Sequence, residues 1–152
     1  MNTDTEGNIA VARLIVCERD GRWAVALRRE LAGAGVRVWE TRALDDCRRE
    51  LIASPTSFVV LQMARDAIET LRFVALQTRE FPAARLAVAA KRSQAAFEWP
   101  IREAGAVHFL CSPRQVGLLA RMACRHLAQV PLPQRSLTER IWASLPWGAR
   151  SA

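Results

Sequence analysis

The sequence has no uninterrupted run of about 18 apolar residues, the length from which a membrane-spanning helix is inferred. It also lacks the basic start of a secretory signal. Asp4 and Glu6 stand near the N-terminus, and Arg13 interrupts the first apolar run. We therefore expect neither a membrane span nor a signal peptide, and we predict a cytoplasmic protein.

No CxxC pair occurs among the four cysteines. Because zinc sites need closely paired ligands, the wide spacing of Cys17, Cys47, Cys111 and Cys124 argues against zinc and favours reduced, mostly buried thiols. The GxGxxG, P-loop, GxSxG and HExxH patterns are absent as well. We therefore predict no enzyme, no catalytic residue, no cofactor and no metal site.

Lysine is nearly absent: Lys91 is the only one, so arginine carries almost all of the positive charge behind the net charge of +7. The arginines stand alone or in pairs such as Arg28-Arg29 and Arg48-Arg49, and they form no long run. Nucleic acids are bound by clustered positive charge. The scatter therefore favours a protein partner, and nucleic-acid binding remains an alternative hypothesis.

Apolar residues make up 51% of the chain and charged residues 24%, as is typical of one globular domain. Apolar runs alternate with helical patterns. The predicted strands are 13–17, 36–40, 58–61, 85–89 and 106–111, and the predicted helices are 22–32, 44–53, 65–80, 94–103 and 113–128. Short connections of this kind imply right-handed crossovers. We predict an α/β, flavodoxin-like, doubly wound five-stranded parallel sheet of order 2-1-3-4-5.

Two helices carry specific expectations. In the third helix, Ile68, Leu71, Ala75 and Thr78 are expected on one inward side. In the fourth, Pro100 removes a backbone donor, so that helix is predicted to begin late, near Trp99, or to bend there.

The chain is predicted to have three parts: a flexible N-terminus over 1–12, a domain over 13–128, and a proline-containing linker and amphipathic tail over 129–152. Ser136 to Glu139 has the pattern of a capping box before a short tail helix that includes Trp142. About two dozen residues after the domain are too few for a helix-turn-helix unit, which is a further reason to rank DNA binding below protein binding.

The segment Gly105-Ala106-Val107-His108-Phe109-Leu110-Cys111-Ser112-Pro113, together with the order of the elements, resembles the last strand and loop of a bacterial response-regulator receiver domain. The resemblance covers about 13–128. It implies that Phe109 stands at the aromatic switch position. It also implies a cis peptide bond before Pro113, and that Ser112 replaces the family's lysine.

Other positions depart from the receiver pattern in the same way. Cys17-Glu18 stands where receivers have two metal-binding acids, Gln62 where they have the phosphoaccepting aspartate, and Ala89 where they have Thr or Ser. An amide has no anionic oxygen to attack phosphorus, and one carboxylate is a poor magnesium site. With Ser112, these residues predict a degenerate phosphoacceptor pocket, as in a pseudo-receiver. Asp66 could be a displaced phosphoacceptor, but its position favours the first turn of a helix.

In receivers, the face formed by helix four, strand five and helix five often mediates dimerisation or output. The matching residues that local folding does not require are Phe97, Trp99, Leu118 and Met122, and we add Trp142 of the tail. We predict a phosphorylation-independent protein-interaction and regulatory module with a protein partner or a second copy. The alternatives are a basic nucleic-acid-binding regulator and a small-ligand sensor that uses the degenerate pocket.

Overall fold

The structure is a computed structural model, and it describes residues 11–131. The predicted flexible N-terminus lies outside the described residues except for its last two positions. The predicted tail helix, with Trp142, also lies outside them.

A five-stranded parallel sheet of order β2-β1-β3-β4-β5 organises the described residues, which confirms the predicted fold class. The strands are β1 Leu14–Cys17, β2 Val38–Thr41, β3 Phe58–Gln62, β4 Arg85–Ala89 and β5 His108–Leu110. The α-helices are α1 Arg22–Glu30, α2 Leu44–Ala53, α3 Ala67–Glu80, α4 Glu98–Glu103 and α5 Val116–Gln129. Two 3-10 helices, Arg92–Phe97 and Pro113–Gln115, precede α4 and α5.

Alternate residues of the central strands enter two separate apolar layers, because successive side chains of a strand point to opposite faces. Leu14 and Val16 pack with α1 and α5, whereas Ile15 packs with α2, α3 and α4. Every residue of β1 is buried, while β2 keeps a half-buried and an exposed residue in its middle, as expected of an edge strand. Helices therefore cover both faces of the sheet.

The inward side of α3 was predicted correctly only for Leu71, which packs against the buried cluster. The buried residues of this helix are Ala67, Thr70, Val74 and Gln77, whereas Ile68 is 54% exposed. Thr70 turns inward because its Oγ1 accepts a hydrogen bond from the backbone N–H of Ala64. Because two of the buried positions carry polar residues, Thr70 and Gln77, the apolar residues in the sequence indicated a stripe displaced by one position from the buried side.

The prediction for the fourth helix is confirmed in its late-start form. A 3-10 helix occupies Arg92–Phe97, and α4 begins at Glu98. Pro100 then lies in the first turn of α4, where a missing N–H interrupts no intrahelical hydrogen bond.

Gly105, in the connection from α4 to β5, has a φ of +116°. A Cβ built there would lie 2.6 Å from Cγ2 of Thr78, on α3. Thr78 is held in place because its hydroxyl donates to the carbonyl of Val74, 2.7 Å away. Both the backbone conformation and the close approach therefore require glycine at this position.

We predict that Gly105→Ala lowers the free energy of unfolding by about 1–3 kcal/mol, because it adds both strain and a clash. Gly117→Ala is the matched control, since its Cβ would meet Glu30 Oε2 at an ordinary 3.5 Å and alanine favours a helix. Urea denaturation of both variants checks this. Equal stability of the two variants would contradict the argument.

Candidate functional site

The carboxyl ends of the strands meet at one edge of the sheet, where open α/β folds bind their ligands. A cleft of about 180 Å³ opens there, which we call the strand-end cleft. It is lined by Arg22, Trp23, Gln62, Met63, Ala89, Ala90, Lys91, Arg92, Gln94 and Cys111. Of the residues predicted to form the degenerate pocket, the structure places Gln62 and Ala89 in this lining, and Cys17, Glu18 and Ser112 outside it.

Glu18 is directed into the protein, where it caps α1. It is 2% exposed, and its two carboxylate oxygens accept hydrogen bonds from the backbone N–H groups of Trp23, at 2.9 Å, and Ala24, at 2.7 Å. Burial raises the pKa of this carboxyl above its ordinary value, although the two hydrogen bonds oppose the rise. The carboxylate is thus committed to the free N–H groups of a helix start.

Cys17 joins the apolar layer beneath the cleft. It is 5% exposed and belongs to the same buried cluster as Cys47. Interaction with the neighbouring Cys47 thiol lowers the pKa of Cys17 to about 7, despite burial, and the same interaction raises the pKa of Cys47. The side chain that replaces one receiver acid therefore contacts a second thiol in the core.

Gln62 and Ala89 lie side by side as Cα partners at the ends of β3 and β4. The Oε1 of Gln62 accepts a hydrogen bond from the backbone N–H of Arg19 at 2.9 Å, which ties β3 to the loop after β1. Ala89 is fully buried and has no hydroxyl. The position of the phosphoaccepting aspartate is thus filled by an amide with a structural contact.

Ser112 begins the 3-10 helix after β5, and its Oγ accepts from the backbone N–H of Arg114 at 3.3 Å. The expectation of a cis bond before Pro113 is wrong, since that bond is trans. In this chain the proline occupies the first position of a helix, where its fixed φ and missing N–H suit the ordinary trans form.

Phe109 and Asp66, two further candidate residues, both contribute to the fold. Phe109 is 6% exposed and packs in the layer of α2, α3 and α4. Asp66 is the N-cap of α3 and accepts from the backbone N–H of Ile68 at 3.0 Å, which confirms the helix-start interpretation.

The basic residues of the cleft were not among the site residues predicted from the sequence. Arg22 is the first residue of α1, and Lys91 and Arg92 follow β4. Gln94 fixes this loop: its Oε1 accepts from Lys91 N at 3.0 Å, and its Nε2 donates to the carbonyl of Ala64 at 2.9 Å. The available signal was positional, because segments that follow neighbouring parallel strands meet at the same edge of a sheet.

A second depression lies beside α5, at the amino ends of the strands. This α5 groove measures about 270 Å³ and is lined by Phe58, Arg85, Val107, Leu118, Arg121, Met122, Arg125, His126 and Gln129. It brings together two of the predicted interaction residues, Leu118 and Met122. Phe97 and Trp99 are 42% and 71% exposed but do not line the groove.

No known family model and no curated protein matches this sequence. Solved structures do match. A response regulator from Thermotoga maritima has 17% identity and a TM-score of 0.67, over 78% of this chain and 98% of that chain. HP1043, an orphan response regulator of H. pylori, has 18% identity and a TM-score of 0.63 over the same shares. The beryllofluoride-activated NtrC4 receiver domain dimer has 16% identity and a TM-score of 0.62, over 76% of this chain and 94% of that chain.

These likenesses show that the described domain has the receiver fold, which confirms the resemblance at the level of the fold. Over residues 11–131, no helix is both long and apolar enough to span a bilayer. Within the same range, His, Cys, Asp and Glu side chains form no group of three or more that could hold a metal ion.

We predict that Glu18→Ala lowers the free energy of unfolding by about 1–3 kcal/mol, because two N–H groups of α1 lose their acceptor. Asp20→Ala is the matched control: Asp20 also accepts from a backbone N–H of this segment but is exposed, so a smaller loss is expected.

The stabilities of the wild type and of Glu18→Ala can also be compared as a function of pH. Since the folded protein holds the Glu18 proton more tightly, the stability that protonation contributes is present below about 4.5 and is lost as pH rises through the raised pKa. The advantage of the wild type over Glu18→Ala should therefore shrink across that range, and a growing advantage would contradict the assignment.

Proposed function

We propose that this protein is a regulatory domain of signal transduction that acts by binding protein, without being phosphorylated. The observation that carries the proposal is that Glu18 has a structural role. The carboxylate that remains at the acidic positions of the receiver pattern is buried and bonded to α1. Gln62 stands where the phosphoryl group would be accepted, and its Oε1 is occupied by Arg19 N.

Phosphoryl transfer to a receiver needs an anionic oxygen, a metal held by carboxylates and a cation for the transferred group. In this chain an amide stands in place of the anionic oxygen, and one of the two metal-binding acids is replaced by a thiol packed against Cys47. Ser112 stands in place of the cation, the lysine of the receiver pattern, and its hydroxyl caps a 3-10 helix. Each replacement has a structural contact of its own, which supports a fold retained for binding.

The proposed face for protein binding combines the α5 groove with the exposed aromatic residues at the start of α4. Leu118 is 47% exposed, and Met122 lies one helical turn further along the groove. Phe97, at the end of the 3-10 helix, and Trp99, in the first turn of α4, add exposed apolar surface. Aromatic, methionine and arginine side chains are enriched in protein interfaces. A receiver with the same fold has been solved as a dimer, which supports a second copy as one occupant of this face.

Cytoplasmic action belongs to the same proposal. The four cysteines are free thiols, two of them buried in contact, as suits a reducing compartment.

We expect that acetyl phosphate or beryllofluoride with magnesium leaves the protein unmodified. The reason is that Gln62 provides no attacking oxyanion. Gln62→Asp alone should also stay unmodified, because Ala89 and Ser112 are still in place. Intact-mass spectrometry, with an active receiver as the positive control, measures the outcome. A stoichiometric, base-labile phosphoryl adduct on the wild type would overturn phosphorylation-independent action.

We expect the double variant Leu118→Glu with Met122→Glu to weaken self-association at least tenfold, because two carboxylates would be buried in an apolar contact. Sedimentation velocity measures the association, and circular dichroism checks the fold. The control is Ile52→Glu with Leu76→Glu, which places the same charges on exposed apolar residues of α2 and α3. If the wild type is monomeric and both double variants bind native partners equally well, this face is not the interaction surface.

A further inference from the structure

The strand-end cleft carries positive charge from three separate places in the sequence. Arg22 comes from the start of α1, and Lys91 and Arg92 come from the loop after β4. All three side chains are exposed at the cleft. The receiver pattern collects acids at this edge of the sheet, so the sign of the charge is reversed in this chain.

The three cations are free to meet a ligand. The ion pairs among residues 11–131 involve other arginines, such as Arg28 with Glu40 and Arg48 with Glu80. Glu18 is buried against the start of α1 and does not line the cleft. Asp20 lies close enough to Arg22 for the arginine to lower the pKa of its carboxyl, so Arg22 is partly offset. Lys91 and Arg92 therefore supply most of the uncompensated charge.

Hydrogen-bond donors and a fixed frame accompany this charge. Gln62 accepts through Oε1 from Arg19 N, which leaves its Nε2 hydrogens to donate to a ligand. Gln94 bonds both to Lys91 N and to the carbonyl of Ala64, so the loop that carries the cations is tied to the loop after β3. Charges held at the walls of a cleft act together on an anion that enters it.

We propose that the strand-end cleft binds a small phosphate-bearing anion, with Lys91 and Arg92 as the principal contacts and the Gln62 amide as a donor. Lysine and arginine are the usual partners of phosphate oxygens, and arginine can bind two of them at once. A cavity of about 180 Å³ is smaller than a typical pocket for drug-sized ligands. It therefore suits inorganic phosphate or a short phosphate monoester. This site lies apart from the α5 groove and does not depend on the protein-binding function.

The test is isothermal titration of the wild type with inorganic phosphate and with glycerol phosphate, at constant ionic strength set with sodium chloride. We expect saturable binding of one equivalent. Backbone amide resonances of Gln62, Lys91 and Arg92 in a 15N-labelled sample should shift with the same dissociation constant. A monoester that binds more tightly than phosphate would identify an organic phosphate as the ligand, and the reverse order would identify free phosphate; either order supports the site.

The decisive comparison uses two double variants that each remove two positive charges. Lys91→Met with Arg92→Gln should weaken binding at least tenfold. Arg121→Gln with Arg125→Gln, in the α5 groove, should bind as the wild type does. Equal weakening in both variants would show attraction by net charge only, and absence of saturable binding by the wild type would overturn the proposal. The cleft variant should also self-associate normally, so failure of this inference is distinguishable from failure of the protein-binding proposal.

Discussion

The buried carboxylate of Glu18 is the contact on which the functional edge of this fold depends. It satisfies two N–H groups at the start of α1, while the backbone N–H of Glu18 donates to the carbonyl of Thr41, at the end of β2. Arg42 adds a hydrogen bond from its guanidinium to the carbonyl of Glu18. One residue thus holds the ends of β1 and β2 and the beginning of α1 together. An acid used in this way is no longer available to hold a cation at the surface.

The features that follow from chain periodicity could be predicted from the sequence. The alternation of apolar runs with helical patterns indicated the strands and helices, and the short connections between them restricted the strand order. The inward side of α3 could not be read in this way, because Thr70 is buried through a hydrogen bond to Ala64 that only the folded chain forms. A periodic pattern of apolar residues cannot reveal a polar residue that finds its partner in the next loop.

The candidate site was predictable in its positions and unpredictable in its chemistry. A match of strand ends located Gln62 and Ala89 at one edge of the sheet, and they do line one cleft. The match did not show that Glu18 would turn away from that cleft, since its direction depends on where α1 begins. It also missed Lys91, because Lys91 is not one of the positions that were compared with the receiver pattern. The positive character of the cleft arises only when distant segments converge.

The two depressions lie at opposite ends of one buried strand. β3 begins at Phe58, in the lining of the α5 groove, and ends at Gln62, in the lining of the strand-end cleft. At about 3.3 Å per residue, the two Cα atoms are about 13 Å apart. Occupants at the two ends would not touch each other, yet both would contact the same rigid element. Should one of them change the affinity of the other, thermodynamic reciprocity requires an equal effect in the opposite direction.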